Sequence, residues 1–365
     1  MTRIAAVAPV VPTYRYPQAE ITDAFARLVL PPGASRAVLD RVHAATTVAS
    51  RHLAMPLERY VELTGFAEFN DVFIASAVEL GARAVREALA KAGLDAGDVD
   101  VVLSTSVTGI AAPSIEARLV PVLGLREDVK RIPVFGLGCV AGAAGIARLH
   151  DYLLGHPDDV AVLLAVEMCS LTVQRDDASM PNLVSCGLFG DGAAAVVLVG
   201  ERRAHAMGID GRRGGPGPDL AAPEVVASRS RFYPDTERVM GWDIGGSGFR
   251  IVLAASVADV VEAHLADDVR NFLESFDLKI ADVGRWVAHP GGPKVLEAMQ
   301  RALDLPEGAL DVTWRSLAAV GNLSSASVLH VLAGTMAGPR PDVGTAGMLM
   351  ALGPGFCAEL VLLRW

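Results

Sequence analysis

A cysteine set among small residues is the first feature of the sequence that could do chemistry. Cys139 follows an apolar run at residues 134–137 and Gly138, and residues 140–145 after it are all Val, Ala or Gly. The helical spacing of residues 146–154 predicts that Cys139 lies at a strand-to-helix turn, where the partial positive charge of a helix N-terminus favours the thiolate. The small neighbours would let a substrate approach closely. A buried, space-filling cysteine is the simpler interpretation of this residue alone, so its chemistry depends on partners elsewhere in the chain.

His289 and Asn322 are the candidate partners. His289 follows a predicted strand at residues 285–288 and precedes a rigid Pro-Gly-Gly-Pro segment at 290–293. Asn322 follows Gly321 at the start of a predicted helix, where an asparagine alone is more typical of an N-cap. Together with the cysteine, these residues meet the requirements of thioester chemistry. The cysteine would accept an acyl group, and imidazole and amide N–H groups would bind the oxygen that becomes negative in a thioester enolate.

The elements that would position these residues alternate between buried strands and helices. Strands are predicted at the N-terminus and at residues 99–106, 131–135, 160–167, 193–199, 285–288 and 345–352, the last with a hairpin partner at 357–363. Helices are predicted over most of residues 19–65 and at 71–92, 115–123, 146–154, 251–276, 294–302 and 328–337. This alternation predicts an α/β fold with parallel βαβ units whose sheets are covered on both faces.

A Gly- and Pro-rich stretch at residues 211–224 is the main break in composition. We therefore expect two halves, residues 1–210 and residues 211–365. The first half carries the candidate nucleophile, and the second carries His289 and Asn322. The active site should then lie where the two halves meet.

Composition restricts the class of protein. A net charge of −10 argues against nucleic acid or an anionic membrane surface as the main partner. Hydrophobic residues make up 52% of the chain, which allows a large buried core, and the longest apolar run, at residues 160–166, is too short to cross a membrane. The four cysteines have no metal-binding spacing and are typical of reduced thiols in a cytoplasmic protein, so no metal site is expected.

Several motifs together resemble one family. They are Gly138-Cys139 with its small-residue helix, Leu-Phe-Gly-Asp-Gly at 188–192, His-Pro-Gly-Gly-Pro at 289–293, Gly-Asn-Leu-Ser at 321–324 and Leu-Gly-Pro-Gly-Phe at 352–356. In this order and spacing they make the chain, from near Arg51 to the C-terminus, resemble a type III polyketide synthase, in the chalcone synthase-like branch of the thiolase fold. The resemblance implies a homodimer of five-layered αβαβα subunits, each built from two similar halves.

The resemblance also implies a reaction. An acyl-CoA starter would load on Cys139 and be extended by decarboxylative condensation with malonyl-CoA-type extenders. His289 and Asn322 would support decarboxylation and stabilise the enolate. CoA thioesters are then substrates, and no cofactor is implied.

Further positions correspond to the walls of the family's substrate cavity. Phe189 and Phe249 resemble its two gatekeeper aromatics, and Gly353, Pro354 and Gly355 resemble the loop that shapes the cyclisation cavity. Leu352 stands where plant enzymes usually carry phenylalanine.

Ala112 falls where plant members place a bulky residue that crosses the dimer interface into the partner's cavity. Because Gly109, Ala111 and Ala112 are small, the cavity should be roomy, as in bacterial members that accept aliphatic starters. We therefore expect an aliphatic acyl-CoA starter and a pyrone or resorcinol-type product. Arg51 and Lys294 are expected to contact CoA phosphates, because a net-acidic protein needs a local basic patch to hold them.

Other interpretations within the same fold remain open. An initiating ketoacyl carrier-protein synthase also uses Cys, His and Asn but condenses once, and it should lack the Phe189 and Phe249 pair. A hydroxymethylglutaryl-CoA synthase would need a glutamate base near the cysteine, and none precedes Cys139. A catalytically inactive scaffold would have no reason to keep all three reactive residues. Loading from an acyl carrier protein instead of CoA also stays open.

Overall fold

The computed structural model describes residues 1–31, 33–175, 177–211 and 222–365. Its strands are β1 (Thr2–Val10), β2 (Tyr14–Pro17), β3 (Ser50–Leu53), β4 (Val101–Ser106), β5 (Lys130–Phe135), β6 (Val160–Met168), β7 (Asp191–Val199), β8 (Glu224–Phe232), β9 (Met240–Gly245), β10 (Gly248–Leu253), β11 (Val283–Ala288), β12 (Ala346–Gly353) and β13 (Cys357–Arg364). Its helices are α1 (Gln18–Val29), α2 (Ala37–Ala44), α3 (Phe66–Ala92), α4 (Ile115–Leu123), α5 (Ala141–Gly155), α6 (Met180–Leu188), α7 (Glu201–Ala206), α8 (Val257–Glu274), α9 (Pro293–Ala302), α10 (Asp311–Val320) and α11 (Ser327–Met336).

The strand order repeats between the two parts of the chain. In the first part the order is β5-β4-β6-β7-β1, and in the second it is β11-β12-β13-β8. The strand β4 runs parallel to β6, which is antiparallel to β7, which is antiparallel to β1. The same three relations hold in turn for β11, β12, β13 and β8. The prediction of two similar α/β halves is thus confirmed, and they join where β1 pairs with β8.

The boundary between the halves stays a prediction. Residues 212–221 of the Gly- and Pro-rich stretch lie outside the described residues. The described chain resumes just before β8, the first strand of the second half.

The strands and helices form five layers, with three apolar cores between them. One core lies between α3 and the outer face of the first half, and another between α8, α9 and the outer face of the second. The central core contains α5 and α11, enclosed between strands of both halves. Strands β6 and β7 are buried along their whole length, which explains why they read as continuous apolar runs.

The small residues of α5 serve this central packing. A Cβ on Gly142 would lie 2.4 Å from the backbone oxygen of Ser325, and one on Gly145 would lie 2.4 Å from Cδ1 of Leu163. The expectation that these residues leave room for a substrate is therefore wrong at those two positions. Glycine is needed there because the helix that follows the cysteine approaches its neighbours too closely for a side chain.

Two predicted helical regions are corrected. The predicted helix at 251–276 begins only at Val257, because residues 248–253 form β10, which pairs with β9 across a Gly-rich hairpin. The region 19–65 contains α1 and α2 but also strand β3, which carries Arg51. No helix among the described residues is long and apolar enough to cross a membrane.

Candidate active site

Cys139 lies on a short 3-10 turn, Gly138–Val140, between β5 and α5, as the sequence predicted. Gly138 adopts a φ of +56°, and a Cβ there would lie 2.7 Å from the ring of Pro354. Gly353 packs equally closely, since its Cβ would lie 2.9 Å from the backbone nitrogen of Val140. The Gly-Pro-Gly loop therefore rests directly on the cysteine turn.

The thiol of Cys139 is enclosed. Only 6% of the residue is exposed, and Sγ lies 3.8 Å from Oγ of Ser324. Burial raises the pKa of Cys139 to about 12, and the hydroxyl of Ser324 only partly offsets this effect. Burial thus opposes the thiolate expected at the helix N-terminus.

Asn322 is oriented by its own carbonyl oxygen. Oδ1 accepts hydrogen bonds from the backbone N–H of Ser324 at 2.8 Å and from the hydroxyl of Ser327 at 3.2 Å. The backbone of Asn322 is fixed as well, because its N–H donates to Leu188 and its carbonyl accepts from Gly190, both at 2.9 Å. Asn322 is not itself an N-cap, since Leu323 caps the 3-10 turn that follows and Ala326 caps α11. The bonds to Oδ1 leave the amide N–H2 group of this buried residue available as a donor.

His289 directly follows β11. Its ring nitrogens are buried, and neither is hydrogen-bonded within the described part of the chain. Burial lowers the pKa of His289 to about 3, so the ring is neutral and one of its nitrogens carries a proton to donate. An unpaired buried polar atom lowers the stability of the fold, so the two unpaired ring nitrogens indicate a place where a ligand binds.

The three candidate residues converge through shared neighbours. Ser324 contacts the Cys139 thiol and is hydrogen-bonded to Asn322. The backbone N–H of His289 donates to Met350 of β12, the strand whose last residue, Gly353, packs on the cysteine turn. The structure thus places the cysteine from the first half close to residues from the second.

Leu188 connects the histidine loop to the asparagine segment. Its carbonyl accepts from the backbone N–H of Asn322. Its side chain lies 3.4 Å from where a Cβ of Gly292 would be, and Gly292 has a φ of +137°. Glycine at this position lets the loop after His289 turn against Leu188.

The two candidate gatekeepers have different surroundings. Phe189 is half-buried and forms an isolated backbone bridge with Asn322. Phe249, on β10, is 3% exposed and packs in an aromatic cluster, with ring centroids 5.4 Å from Phe66, 5.9 Å from Trp242 and 6.3 Å from Phe135. Phe135 is the last residue before the cysteine loop, so this cluster forms a wall near the site.

Lys294 and Arg51, the two expected CoA contacts, lie in opposite environments. Lys294 is exposed and lines a cavity of about 540 Å³ together with the Gly291–Pro293 loop and apolar residues of α2, α6 and α8. Arg51 is only 1% exposed, and its guanidinium donates to Gln18 and to the carbonyl of Phe189. This geometry does not favour the expected contact between Arg51 and CoA phosphates, because the polar atoms of Arg51 face the protein interior.

Ala112 is exposed on the loop between β4 and α4. On the same loop, Gly109 and Ala111 line a separate cavity of about 150 Å³ that also contacts Phe135. A Cβ on Gly109 would lie 2.1 Å from the ring of Phe73, so glycine is required there for packing.

Sequence reasoning missed Glu167. This carboxylate is fully buried at the end of β6, and Oε2 accepts hydrogen bonds from Ser106, Val107 and Thr108 at 2.8–3.1 Å. Oε1 accepts from Ser325 at 2.5 Å, next to the serine that contacts Cys139. Burial raises the pKa of Glu167, and its hydrogen bonds oppose this shift. The signal was available, because Glu167 is a single acid that ends an otherwise apolar strand.

Comparisons with known proteins cover both halves. Residues 1–202 match the family described as chalcone and stilbene synthases, N-terminal domain, and residues 224–365 match the corresponding C-terminal domain. The chain is 56% identical over 364 residues to a 1,3,6,8-tetrahydroxynaphthalene synthase of Streptomyces peucetius subsp. caesius, covering 100% of this chain and 93% of that protein. It is 27% identical to an alpha-pyrone synthesis polyketide synthase-like protein of Mycobacterium tuberculosis, covering 94% and 86% of the two chains.

A solved structure agrees with these matches. The crystal structure of the 1,3,6,8-tetrahydroxynaphthalene synthase of Streptomyces coelicolor A3(2), a bacterial type III polyketide synthase, superposes with a TM-score of 0.89 at 29% identity. The match covers 100% of this chain and 99% of that one. The whole described architecture, including the elements around the cysteine, thus has a counterpart of known structure.

Proposed function

The chain belongs to the chalcone and stilbene synthase family and is a type III polyketide synthase; on this premise we propose that it condenses malonyl-CoA units on Cys139 into a product of the tetrahydroxynaphthalene class. The observation that carries this proposal is the 56% identity, over the whole chain, to a tetrahydroxynaphthalene synthase. The ten ring carbons of such a product correspond to five two-carbon units, so a starter other than malonyl-CoA is not required.

The loading step uses Cys139 and His289. The sulfur attacks the thioester carbonyl of the starter, a new C–S bond forms, and CoA leaves as its thiol. The thiol proton must leave as the C–S bond forms, and the neutral imidazole of His289 is the base we assign to that transfer. The proton then passes to the departing CoA sulfur.

The extension step uses His289 and Asn322 as donors. Malonyl-CoA loses CO2, and the electron pair of the broken C–C bond forms a thioester enolate. The enolate carbon attacks the acyl group on Cys139, a C–C bond forms, and the cysteine sulfur is released. Asn322 fits this role because its Oδ1 is held by Ser324 and Ser327 while its N–H2 group remains free to donate.

Lys294 is the CoA contact that the geometry supports. It lies at the start of α9, exposed beside the loop that follows His289, on the wall of the 540 Å³ cavity. The other walls of this cavity are mostly apolar, as suits a pantetheine arm. A lysine at its edge suits the diphosphate of CoA, and an acyl carrier protein could present the same phosphopantetheine arm there.

We also propose a homodimer. The strand β5 is the edge of the nine-stranded sheet, and its Ile132 and Phe135 are exposed, as are Ile110 and Val122 nearby in sequence. An exposed apolar edge strand is a surface that a second chain can cover. The exposed Ala112 lies on the loop next to Ile110. Sedimentation of the purified protein as a dimer at micromolar concentration is expected, and a monomer would contradict this assembly.

A second candidate function uses an aliphatic acyl-CoA starter and releases a pyrone or resorcinol-type product. Two apolar features favour it: the 540 Å³ cavity with Val42, Val184 and Leu253 on its walls, and the smaller cavity beside Ala111. The relative from Mycobacterium tuberculosis is named for alpha-pyrone synthesis.

A starter panel separates the two functions. The enzyme is incubated with malonyl-CoA alone, with added aliphatic or aromatic acyl-CoAs, and with an acyl carrier protein loaded with the same acyl groups, and products are identified by mass spectrometry. Malonyl-CoA alone is expected to give a ten-carbon tetrahydroxylated product. Turnover only after addition of an aliphatic starter would replace the first proposal with the second. A single condensation on the carrier protein would instead indicate an initiating synthase, and no decarboxylation at all would indicate an inactive scaffold.

A further inference from the structure

Arg51 is a buried cation without a carboxylate in ion-pair contact among the described residues. Two of its nitrogens donate to neutral acceptors: Nε donates to Oε1 of Gln18 at 3.1 Å and Nη1 donates to the carbonyl of Phe189 at 2.6 Å, while Nη2 has no hydrogen-bond partner among the described residues. Its guanidinium carbon also lies 5.9 Å from the ring centroid of Phe25. Burying a charge is costly, so an arginine in such a position calls for a specific explanation.

The backbone that Arg51 holds belongs to the active site. Phe189 lies between Leu188 and Gly190, the two residues whose backbones are hydrogen-bonded to Asn322. On its other side, the Arg51 side chain packs against Gly321, where a Cβ would lie 3.2 Å from Cδ and 3.3 Å from Cγ of the arginine. One side chain therefore contacts both segments of the bridge that carries Phe189 and Asn322.

We propose that Arg51 is a positioning residue that fixes Asn322 and Phe189 relative to each other, an inference that rests on the proposed function of those two residues. The guanidinium is suited to this task because its planar fork donates in two fixed directions at once, to Gln18 and to Phe189. A lysine ammonium could replace one of these bonds but not the fixed geometry of both.

The test compares Arg51→Met and Arg51→Lys with the parent enzyme. For each, kcat and KM for malonyl-CoA are measured with the amount of CO2 released per C–C bond formed. Arg51→Met should lower kcat for condensation by about 10- to 100-fold, because misplacement of an active-site group by about 1 Å has an effect of this size. KM should change little, and more CO2 should be lost per bond formed. Arg51→Lys should recover part of kcat.

Arg3 provides a control at a second buried arginine. It is 8% exposed, donates to the carbonyls of Ala222 and Asp210, and forms an ion pair with Glu224 at 3.3 Å. In the sheet Arg3 lies opposite Val199, at the other end of β7 from Asp191 and the Phe189 segment. Arg3→Met should therefore lower thermal stability and leave the ratio of CO2 to C–C bonds unchanged. If Arg51→Met fails to fold, Gln18→Ala should shift the ratio in the same direction by a smaller factor. This substitution removes the second anchor of the guanidinium and also the 2.7 Å hydrogen bond from Nε2 of Gln18 to the carbonyl of Gly187.

Three results would overturn the positioning role. The first is a raised KM with an unchanged kcat in Arg51→Met, which would indicate a direct CoA contact. The second is a ratio of CO2 to C–C bonds that stays at the parent value in Arg51→Met or, where that protein does not fold, in Gln18→Ala. The third is a parent enzyme that consumes malonyl-CoA without forming any C–C bond, which would refute the proposed function itself and the inference with it.

Discussion

Replacing Asn322 by alanine tests how the enolate is stabilised. The substitution removes the amide donor and also the acceptor Oδ1, which receives hydrogen bonds from Ser324 and Ser327. Losing one oxyanion donor lowers kcat by about 10²–10³, equivalent to about 2.7–4 kcal/mol of transition-state stabilisation. Losing two hydrogen bonds to Oδ1 should cost about 2 kcal/mol of folding stability, at about 1 kcal/mol for each bond. The two effects are separable, because a stability loss changes the folded fraction and not the kcat of folded enzyme.

The assay for Asn322→Ala measures CO2 release from malonyl-CoA and C–C bond formation under conditions where circular dichroism shows the variant folded. Ser327→Ala is the control that keeps the amide donor: it removes the 3.2 Å contact to Oδ1 and the 2.6 Å hydrogen bond that Ser327 accepts from the backbone N–H of Leu323. We expect Ser327→Ala to lose less than about ten-fold in kcat. An Asn322→Ala enzyme that stayed within this same range would refute the oxyanion role assigned to the amide.

Three further predictions follow from the same site. Cys139→Gln, which resembles an acylated cysteine in shape, should abolish starter loading but still release CO2 from malonyl-CoA, and persistent acylation of this variant would contradict the assignment. His289 has a folded pKa of about 3 against about 6.5 unfolded, so the unfolded state binds a proton that the folded state excludes, and stability is lost as pH falls below 6.5. His289→Gln should therefore reduce the slope of unfolding free energy against pH by up to about 1.4 kcal/mol per unit between pH 4 and 6, and an unchanged slope would show that this ring is not a buried neutral group. Gly142→Ala places a methyl 2.4 Å from the Ser325 oxygen and should destabilise the enzyme by about 1–3 kcal/mol in urea unfolding, whereas a neutral effect would contradict the close packing of α5.

Strands buried on both faces were predictable because their sequences are uninterrupted apolar runs bounded by turns. Residues 160–166 form an uninterrupted apolar run, and residues 193–199 resemble it, so both read as central strands. The turn at Cys139 was also predictable, since glycine precedes the cysteine and a helical pattern follows it. These features depend on local sequence, and the structure confirms them.

The ionisation of the site was not predictable from the sequence. The helix N-terminus near Cys139 is a local feature, but the desolvation that raises the pKa of its thiol comes from the enclosure of that turn by residues distant in sequence. The same limit applies to Arg51, which lies in a region predicted to be mostly helical. Its strand is instead covered by segments of the chain more than a hundred residues away, including Phe189.

Acylation of Cys139 is the most direct test of the central claim. The parent protein and Cys139→Ala are incubated with each starter, and intact-protein and peptide mass spectrometry locate the acyl group. Cys169, Cys186 and Cys357 are internal controls: burial raises the pKa of all three thiols, as it does that of Cys139, so selective acylation reflects the position of Cys139 and not its burial. We predict one acyl group on the parent, located on Cys139 and absent from the variant. An acyl group on another cysteine, or polyketide formation by Cys139→Ala, would contradict the account.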